Sequence, residues 1–273
     1  MLLSIDSGLS ALEQDQQSLN VIGNNIANVN TVGFKSGSFN FADTLSQTLG
    51  TNAAGSIQVG TGVMSAGISN DFSAGSITAT GVQTDMAVNG NGFFLVKDPT
   101  SGNSYVTQDG QFTVDSNGYL VANGGQRVQG YSDAGLSTVG DIKIDNTGAP
   151  SGDTSAVQSY TIGSDGKISV LLADGTQFTR GQILLQNVAD PSQLVKVGDN
   201  LYSGLTAAGA TTTPLAPNSS NMGSLVTGSL EMSNVDLATQ LTDLITVQSA
   251  YQASSKVITT SDNVLQTLIN LVR

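Results

Sequence analysis

The chain reads as an α+β protein of discontinuous plan: N- and C-terminal helices pairing as a coiled coil around a mainly β central domain. Three observations predict it. An apolar heptad runs through each end of the sequence, and between them short apolar runs alternate with turn dipeptides.

At the N-terminus, Leu2, Ile5, Leu9, Leu12, Leu19 and Ile26 recur at steps of three and four and their multiples. That spacing lays one apolar stripe along a helix over residues 3–29. The run Asn24, Asn25, Asn28, Asn30 and then Gly33 supplies residues that tolerate left-handed backbone, so the helix should stop there. At the other end the seam steps strictly by four and three through Leu237, Leu241, Leu244, Gln248, Tyr251, Ser255, Ile258, Asp262, Leu265, Ile269 and Val272. Ser233 and Asn234 offer N-caps, Asp236 an acid for the first turn, and Arg273 a cation for the last. The predicted helix is unusually long for a globular domain.

In the middle, the strand-length runs are Phe93–Val96, Phe112–Val114, Ile142–Ile144, Ile168–Val170 and Ile183–Leu185. Asn91-Gly92, Asp109-Gly110, Asn117-Gly118, Asp165-Gly166 and Asp174-Gly175 punctuate them as hairpin turns would.

Composition narrows the function. Nine Lys and Arg against 21 Asp and Glu give a net charge of −12, and no basic cluster offers itself to phosphate, so neither nucleic acid nor anionic lipid is an expected partner. With no His and no Cys, imidazole bases, thiol nucleophiles and most transition-metal ligand sets are absent. Met1 to Asp15 carries no basic region followed by an unbroken apolar stretch, and no run of 18 apolar residues occurs. Neither a Sec signal nor membrane insertion is expected.

Candidate sites weigh toward structure. Gly90-Asn91-Gly92 begins a dinucleotide fingerprint, but Phe93-Phe94-Leu95 follows where a helix would be needed, which favours a tight turn. The Asp-Gly pairs lack the spacing of a calcium loop. The acids are scattered beside Gly, Asn and Ser, where solvation is the default. No catalytic, cofactor-binding or metal-binding residue is expected. Apolar seams at both ends would be an association hazard in a monomer, and association is therefore the expected purpose.

Specific strings support that direction. Val21 to Lys35, reading VIGNNIANVNTVGFK, resembles the N-terminal signature of the flagellar hook and rod axial proteins, including Asn24, Asn25, Asn28, Asn30, Gly33, Phe34 and Lys35. Gln58 to Val63 and Met86 to Phe94 are similar to that family's internal blocks, and Leu230 to Asp236 and Gln266 to Leu271 to its C-terminal signature. The resemblance covers nearly the whole chain. It implies a subunit exported unfolded through the flagellar type III apparatus and added under a hook cap, forming a homopolymer beside rod and hook–filament junction proteins. In it, Leu2, Ile5, Leu9, Leu12, Leu19, Ile26, Leu237, Leu241, Leu244, Tyr251, Ile258, Leu265, Ile269 and Val272 would be subunit-interaction positions of the inner helices.

Phe39 to Asp43, Gln129 to Tyr131 and Leu268 to Arg273 are more similar to hook than to rod sequences. They imply an extracellular, flexible hook tube that joins rod to filament and transmits torque. Residues 145–160 are only a short link where many hook proteins insert a further outer domain, and Tyr160 to Gly166 resembles a rod block. A distal rod protein of the periplasm-spanning basal body is thus the alternative. An exported β-rich adhesin or carbohydrate-active enzyme is the competing class. The implied domains are residues 1–30 and 233–273 as the helical inner region, 31–80 as an extended connection, and 81–232 as the β-rich outer domain, with a flexible stretch at 205–224.

Overall fold

The computed structural model describes residues 2–52, 55–150, 155–219 and 222–271. The chain divides into two units, each assembled from separated stretches. The helical unit takes the residues up to Val29, Ser36–Asp71 and those from Val235 onward, and the β unit takes Asn30–Lys35 and Phe72–Asn234.

In the helical unit, α1 (Leu2–Ala27) and α2 (Leu237–Leu271) are the two predicted helices. The α2 N-cap is Asp236 rather than Ser233 or Asn234: its Oδ1 accepts the Ala238 N–H at 2.9 Å. That hydrogen bond, with the Thr239 hydroxyl on Oδ2, holds the Asp236 carboxyl below its ordinary range. Asn234 instead donates to Ser73 within the β unit. Ser and Thr are poor helix formers because they compete for backbone groups. In α2, Thr242, Thr246, Ser249 and Thr267 direct their hydroxyls to the carbonyl four residues earlier, which satisfies them without breaking the helix. Val272 and Arg273 lie outside the described residues.

The remainder of this unit is one long hairpin. Strand β1 (Gly37–Asp43) pairs antiparallel with β4 (Val63–Asn70), and β2 (Gln47–Asn52) pairs with β3 (Gly55–Val59) inside them. Thus within 31–80, expected as an extended connection, the four strands β1 to β4 pair with one another.

The β unit is antiparallel throughout. Its strands are β5 (Ile77–Ala79), β6 (Met86–Asn89), β7 (Phe93–Lys97), β8 (Ser104–Thr107), β9 (Phe112–Val114), β10 (Leu120–Ala122), β11 (Arg127–Tyr131) and β12 (Val139–Asp141). There follow β13 (Val157–Ile162), β14 (Lys167–Leu172), β15 (Gln177–Ile183), β16 (Leu185–Gln186), β17 (Val195–Gly198), β18 (Leu201–Ser203), β19 (Ser224–Thr227) and β20 (Ser229–Glu231). The main sheet runs β13-β14-β15-β11-β7-β8-β18-β17, while β6 pairs with β19 and β5 with β20.

Strand β7 explains why its sequence reads as an unbroken apolar run. Phe94 and Val96 enter one core with Phe112, Val128, Ile168 and Ile183, whereas Phe93 points the other way into a second core with Val106, Leu194 and Tyr202. A strand buried on both faces has no polar side to show.

Three of the five turn dipeptides close hairpins: Asn117-Gly118 joins β9 to β10, Asp165-Gly166 joins β13 to β14, and Asp174-Gly175 joins β14 to β15. Asn91-Gly92 and Asp109-Gly110 do not, because β6 pairs with β19 and β8 with β7 and β18. At Gly110 the reason for glycine is contact rather than turning: a Cβ there would lie 1.5 Å from the Met86 carbonyl oxygen. Ile142–Ile144, expected as a strand, lies beyond the end of β12. Ile142 and Ile144 are buried, but their N–H groups go to different neighbours, Val128 and Gly118, so no ladder forms. In the 205–224 stretch, expected to be flexible, Ala210 and Leu215 make bridges to Val188 and Leu185.

Candidate assembly surfaces

Helices α1 and α2 run antiparallel: Gly8 lies against Ile258 and Ser254, while Asn25 Nδ2 donates to Gln240 Oε1 at 2.9 Å. A Cβ on Gly8 would sit 3.1 Å from Ile258 Cγ1, so the smallest side chain sets how closely the helices approach.

Among the described side chains of α1 the buried ones are Gly8, Asp15, Ser18, Ile22 and Asn25, spaced seven, three, four and three. This is a heptad, but displaced one residue from the predicted row, and one residue rotates a helix face by about 100°. Ile5, Leu12, Leu19 and Ile26 are half-buried beside it, and Leu9 is 49% exposed. Leu2 begins the helix.

On α2 the half-buried residues are Gln240, Leu244, Val247, Ser254, Ser255, Ile258, Ser261 and Leu265. Of the predicted row, Leu244, Ser255, Ile258 and Leu265 are among them, whereas Leu237, Leu241, Gln248, Tyr251, Asp262 and Ile269 are exposed and Val272 lies outside the described residues. At Gly8 the physical reason is visible: the helices approach closely where α1 has no side chain, and Ile258 packs into the space. At 100° per residue, Leu237, Leu241 and Ile245 fall on one flank of the α1-facing row, and Val257, Val264, Leu268 and Leu271 on the opposite flank. Helix α2 therefore presents two open apolar surfaces.

The Asn-rich exit from α1 divides into separate jobs. Asn25 is buried and grips the first residue of β1 twice, donating to the Gly37 carbonyl at 2.8 Å and accepting the Gly37 N–H at 3.0 Å. Asn28 donates its side-chain amide to the Asn24 carbonyl at 2.8 Å, satisfying a helix-end acceptor. Asn30 is exposed. Only Gly33 takes the left-handed conformation, at φ +65°, and a Cβ there would meet the Asp109 nitrogen at 2.6 Å. Phe34 is buried, with the Lys196 ammonium 3.9 Å above its ring. Burial lowers the Lys196 pKa.

Lys35 has a role that local sequence reasoning missed. It is 1% exposed and pairs with Glu231, 2% exposed, at 2.8 Å. The Lys35 ammonium also donates to the Ser73 carbonyl at 2.7 Å, the Gly75 N–H donates to Glu231 Oε1 at 2.8 Å, and the Gly33 N–H to the Glu231 carbonyl at 2.8 Å. One ion pair thus fastens three segments of the β unit: the one following α1, the one following β4, and the one preceding α2.

The nearest thing to an acid–base pair is Asp85 with Asp109. Burial, opposed by the Gln111 N–H and aided by repulsion from Asp85, raises the Asp109 pKa. Asp85 Oδ2 accepts the Thr80 hydroxyl at 2.6 Å and Asp109 Oδ1 the Gln111 N–H at 3.0 Å, so both serve loops. A carboxyl with a raised folded-state pKa binds protons better when folded, and its contribution is lost as pH rises through that pKa. Asp109→Asn keeps the acceptor for Gln111 and is expected to stabilise the β unit at pH 7, the gain shrinking as pH falls toward 3.8. Urea unfolding at several pH values checks it; a gain that grows on acidification would refute the assignment. Among the described residues no group of three or more acidic, His or Cys side chains could hold a metal ion, and no helix is long and apolar enough to cross a membrane.

Three family models match successive parts of the chain: "Flagella basal body rod protein" over residues 5–35, "Flagellar hook protein FlgE/F/G D1 domain" over 87–170, and "Flagellar basal body rod FlgEFG protein C-terminal" over 226–271. The flagellar basal-body rod protein FlgG of Bacillus subtilis is 40% identical, with 100% of both chains covered. The chain belongs to the flagellar rod and hook protein family. It is a member of a family of structural proteins of the flagellum. FlgG of Borreliella burgdorferi is 32% identical, again over the full length of both chains. The flagellar hook protein FlgE of Helicobacter mustelae is 39% identical over 155 residues, covering 54% of this chain and 34% of that protein. The first family model ends at Lys35 and the third includes Glu231, so the buried ion pair joins the two terminal family regions.

Proposed function

We propose that this chain is a distal rod subunit of the flagellar basal body, a non-enzymatic protein that polymerises with copies of itself into a tube spanning the periplasm and transmits torque to the hook. The observation that carries this reading is end-to-end similarity to rod proteins named FlgG, against similarity to a hook protein over only 34% of its length. The hook-like strings weigh less in the fold. Gln129-Gly130-Tyr131 lies inside β11, where Gln129 donates to Asp141 at 2.7 Å and a Cβ on Gly130 would strike the Gln182 carbonyl. Folding of the β unit accounts for that string, whatever the tube.

In this reading α1 and α2 form the inner layer, and the seam residues named from the sequence divide between two tasks. Leu244, Ile258 and Leu265 hold the helix pair, while Leu9, Leu237, Leu241 and Ile269 contact other copies. Neighbouring rod and hook proteins, a cap and the type III export apparatus are the further partners. Removing the protein from its cell is expected to leave rods truncated inside the envelope. Complete rods lacking hooks would instead favour the hook reading. Circular dichroism adds a second check, since helices with open apolar flanks should gain helical signal on polymerisation.

A further inference from the structure

Within that reading, two features of the helical unit point to a specific contact between copies. Leu45 is 92% exposed, the highest value for a large apolar side chain among the described residues. It is also held firmly. The Thr61 hydroxyl donates to the Leu45 carbonyl at 2.7 Å, the Thr44 and Thr61 hydroxyls are 2.7 Å apart, and both the Thr44 N–H and its hydroxyl reach the Gly62 carbonyl, at 3.0 and 2.9 Å. An apolar side chain presented to water on a fixed backbone is pre-organised for binding, because little freedom remains to be lost.

The same unit contains a cavity of about 220 Å³ between α1, the start of β1 and α2. Val21, Ile22, Phe39 and Val247 supply its apolar lining, with Ser18 and Asp243 among the polar groups. Removing a leucine side chain from a protein core leaves a cavity on the order of 150 Å³, so one leucine fits. The chain's own Leu45 cannot fill it. Phe39 and Leu45 are six residues apart along an extended strand and its exit, which at about 3.4 Å per residue separates knob and cavity by roughly 20 Å.

We propose that Leu45 of one copy seats in the α1–β1–α2 cavity of a second copy. Knob and cavity are different patches of one surface, so a contact made head to tail leaves a free knob and a free cavity at the two ends of every chain of copies. Made that way, with a rotation that does not close a ring, it propagates into an open helical polymer, as the rod reading requires.

Because the chain has no cysteine, the contact can be trapped without background. Full-length Leu45→Cys and Val247→Cys chains, each doped into wild-type polymer and mixed with one another, should yield a disulfide-linked heterodimer on mild oxidation. Leu45→Cys mixed with Val257→Cys, on a flank of α2, should not. In solution Leu45→Ser should raise the concentration needed for polymerisation roughly thirtyfold while Leu45→Met leaves it nearly unchanged, as for a buried anchor residue. Polymer that forms without the Leu45–Val247 heterodimer, or that tolerates Leu45→Ser, overturns the contact and leaves the rod reading standing. Failure of the unmodified chain to polymerise at all overturns the rod reading, and the contact with it.

Discussion

Lys35→Met is expected to destabilise the β unit by about 3–5 kcal/mol, because it leaves the Glu231 carboxylate buried without its cation. For a unit of this size that corresponds to a fall in Tm on the order of 10 °C. The pair's value is not the attraction alone, since two charges brought out of water repay their desolvation only when every donor and acceptor is met. Here the Ser73 carbonyl and the Gly75 N–H complete the set. Adding Glu231→Gln to Lys35→Met should recover a large part of the loss: no net charge remains buried, and a glutamine oxygen can still accept from Gly75. Thermal unfolding of the three variants checks this. A double variant no more stable than Lys35→Met would mean that the pair acts through shape rather than charge. The loss should also reach assembly, because the three fastened segments are those from which the chain passes to α1, to β4 and to α2.

Paired aspartates on the open flanks of α2 should behave differently. Leu241 and Leu268 are exposed, at 51% and 43%, so Leu241→Asp with Leu268→Asp should change the stability of the isolated chain by no more than about 0.5 kcal/mol per site. Polymerisation should nevertheless be lost, since each carboxylate would have to be buried unpaired at a contact between copies. Leu244→Asp with Leu265→Asp, on the row facing α1, should weaken the helix pair itself and lower helical content before any assembly begins. Sedimentation and circular dichroism on both variants separate the two faces. Normal polymer from the Leu241/Leu268 variant would remove these flanks from the inner contacts.

Much of this was legible in the sequence because it depends on local chemistry. Helix ends, the apolar strands of the β unit and three of its hairpins follow from period, capping and Asn-Gly or Asp-Gly turns, all of which act within a few residues. The family signature was likewise readable as a string. What each of its residues does was not. Asn25 turns back on Gly37, Asn28 caps α1, and Lys35 finds Glu231 at a separation of 196 residues, too far for any local pattern to mark.

The heptads show where the boundary falls. Periodicity established that each terminal segment is an amphipathic helix, since apolar residues at steps of three and four can share a face only in that conformation. It could not say which face the partner helix takes. Tertiary packing chose the row through Gly8, Ser18 and Ile22, one residue away from the bulkier apolar row, with Gly8 giving Ile258 of the partner helix room to approach. Local sequence thus determined the elements and their apolar sides. Only the tertiary structure decided which sides are spent inside the subunit and which stay open, because that choice depends on the shape of surfaces distant in the chain.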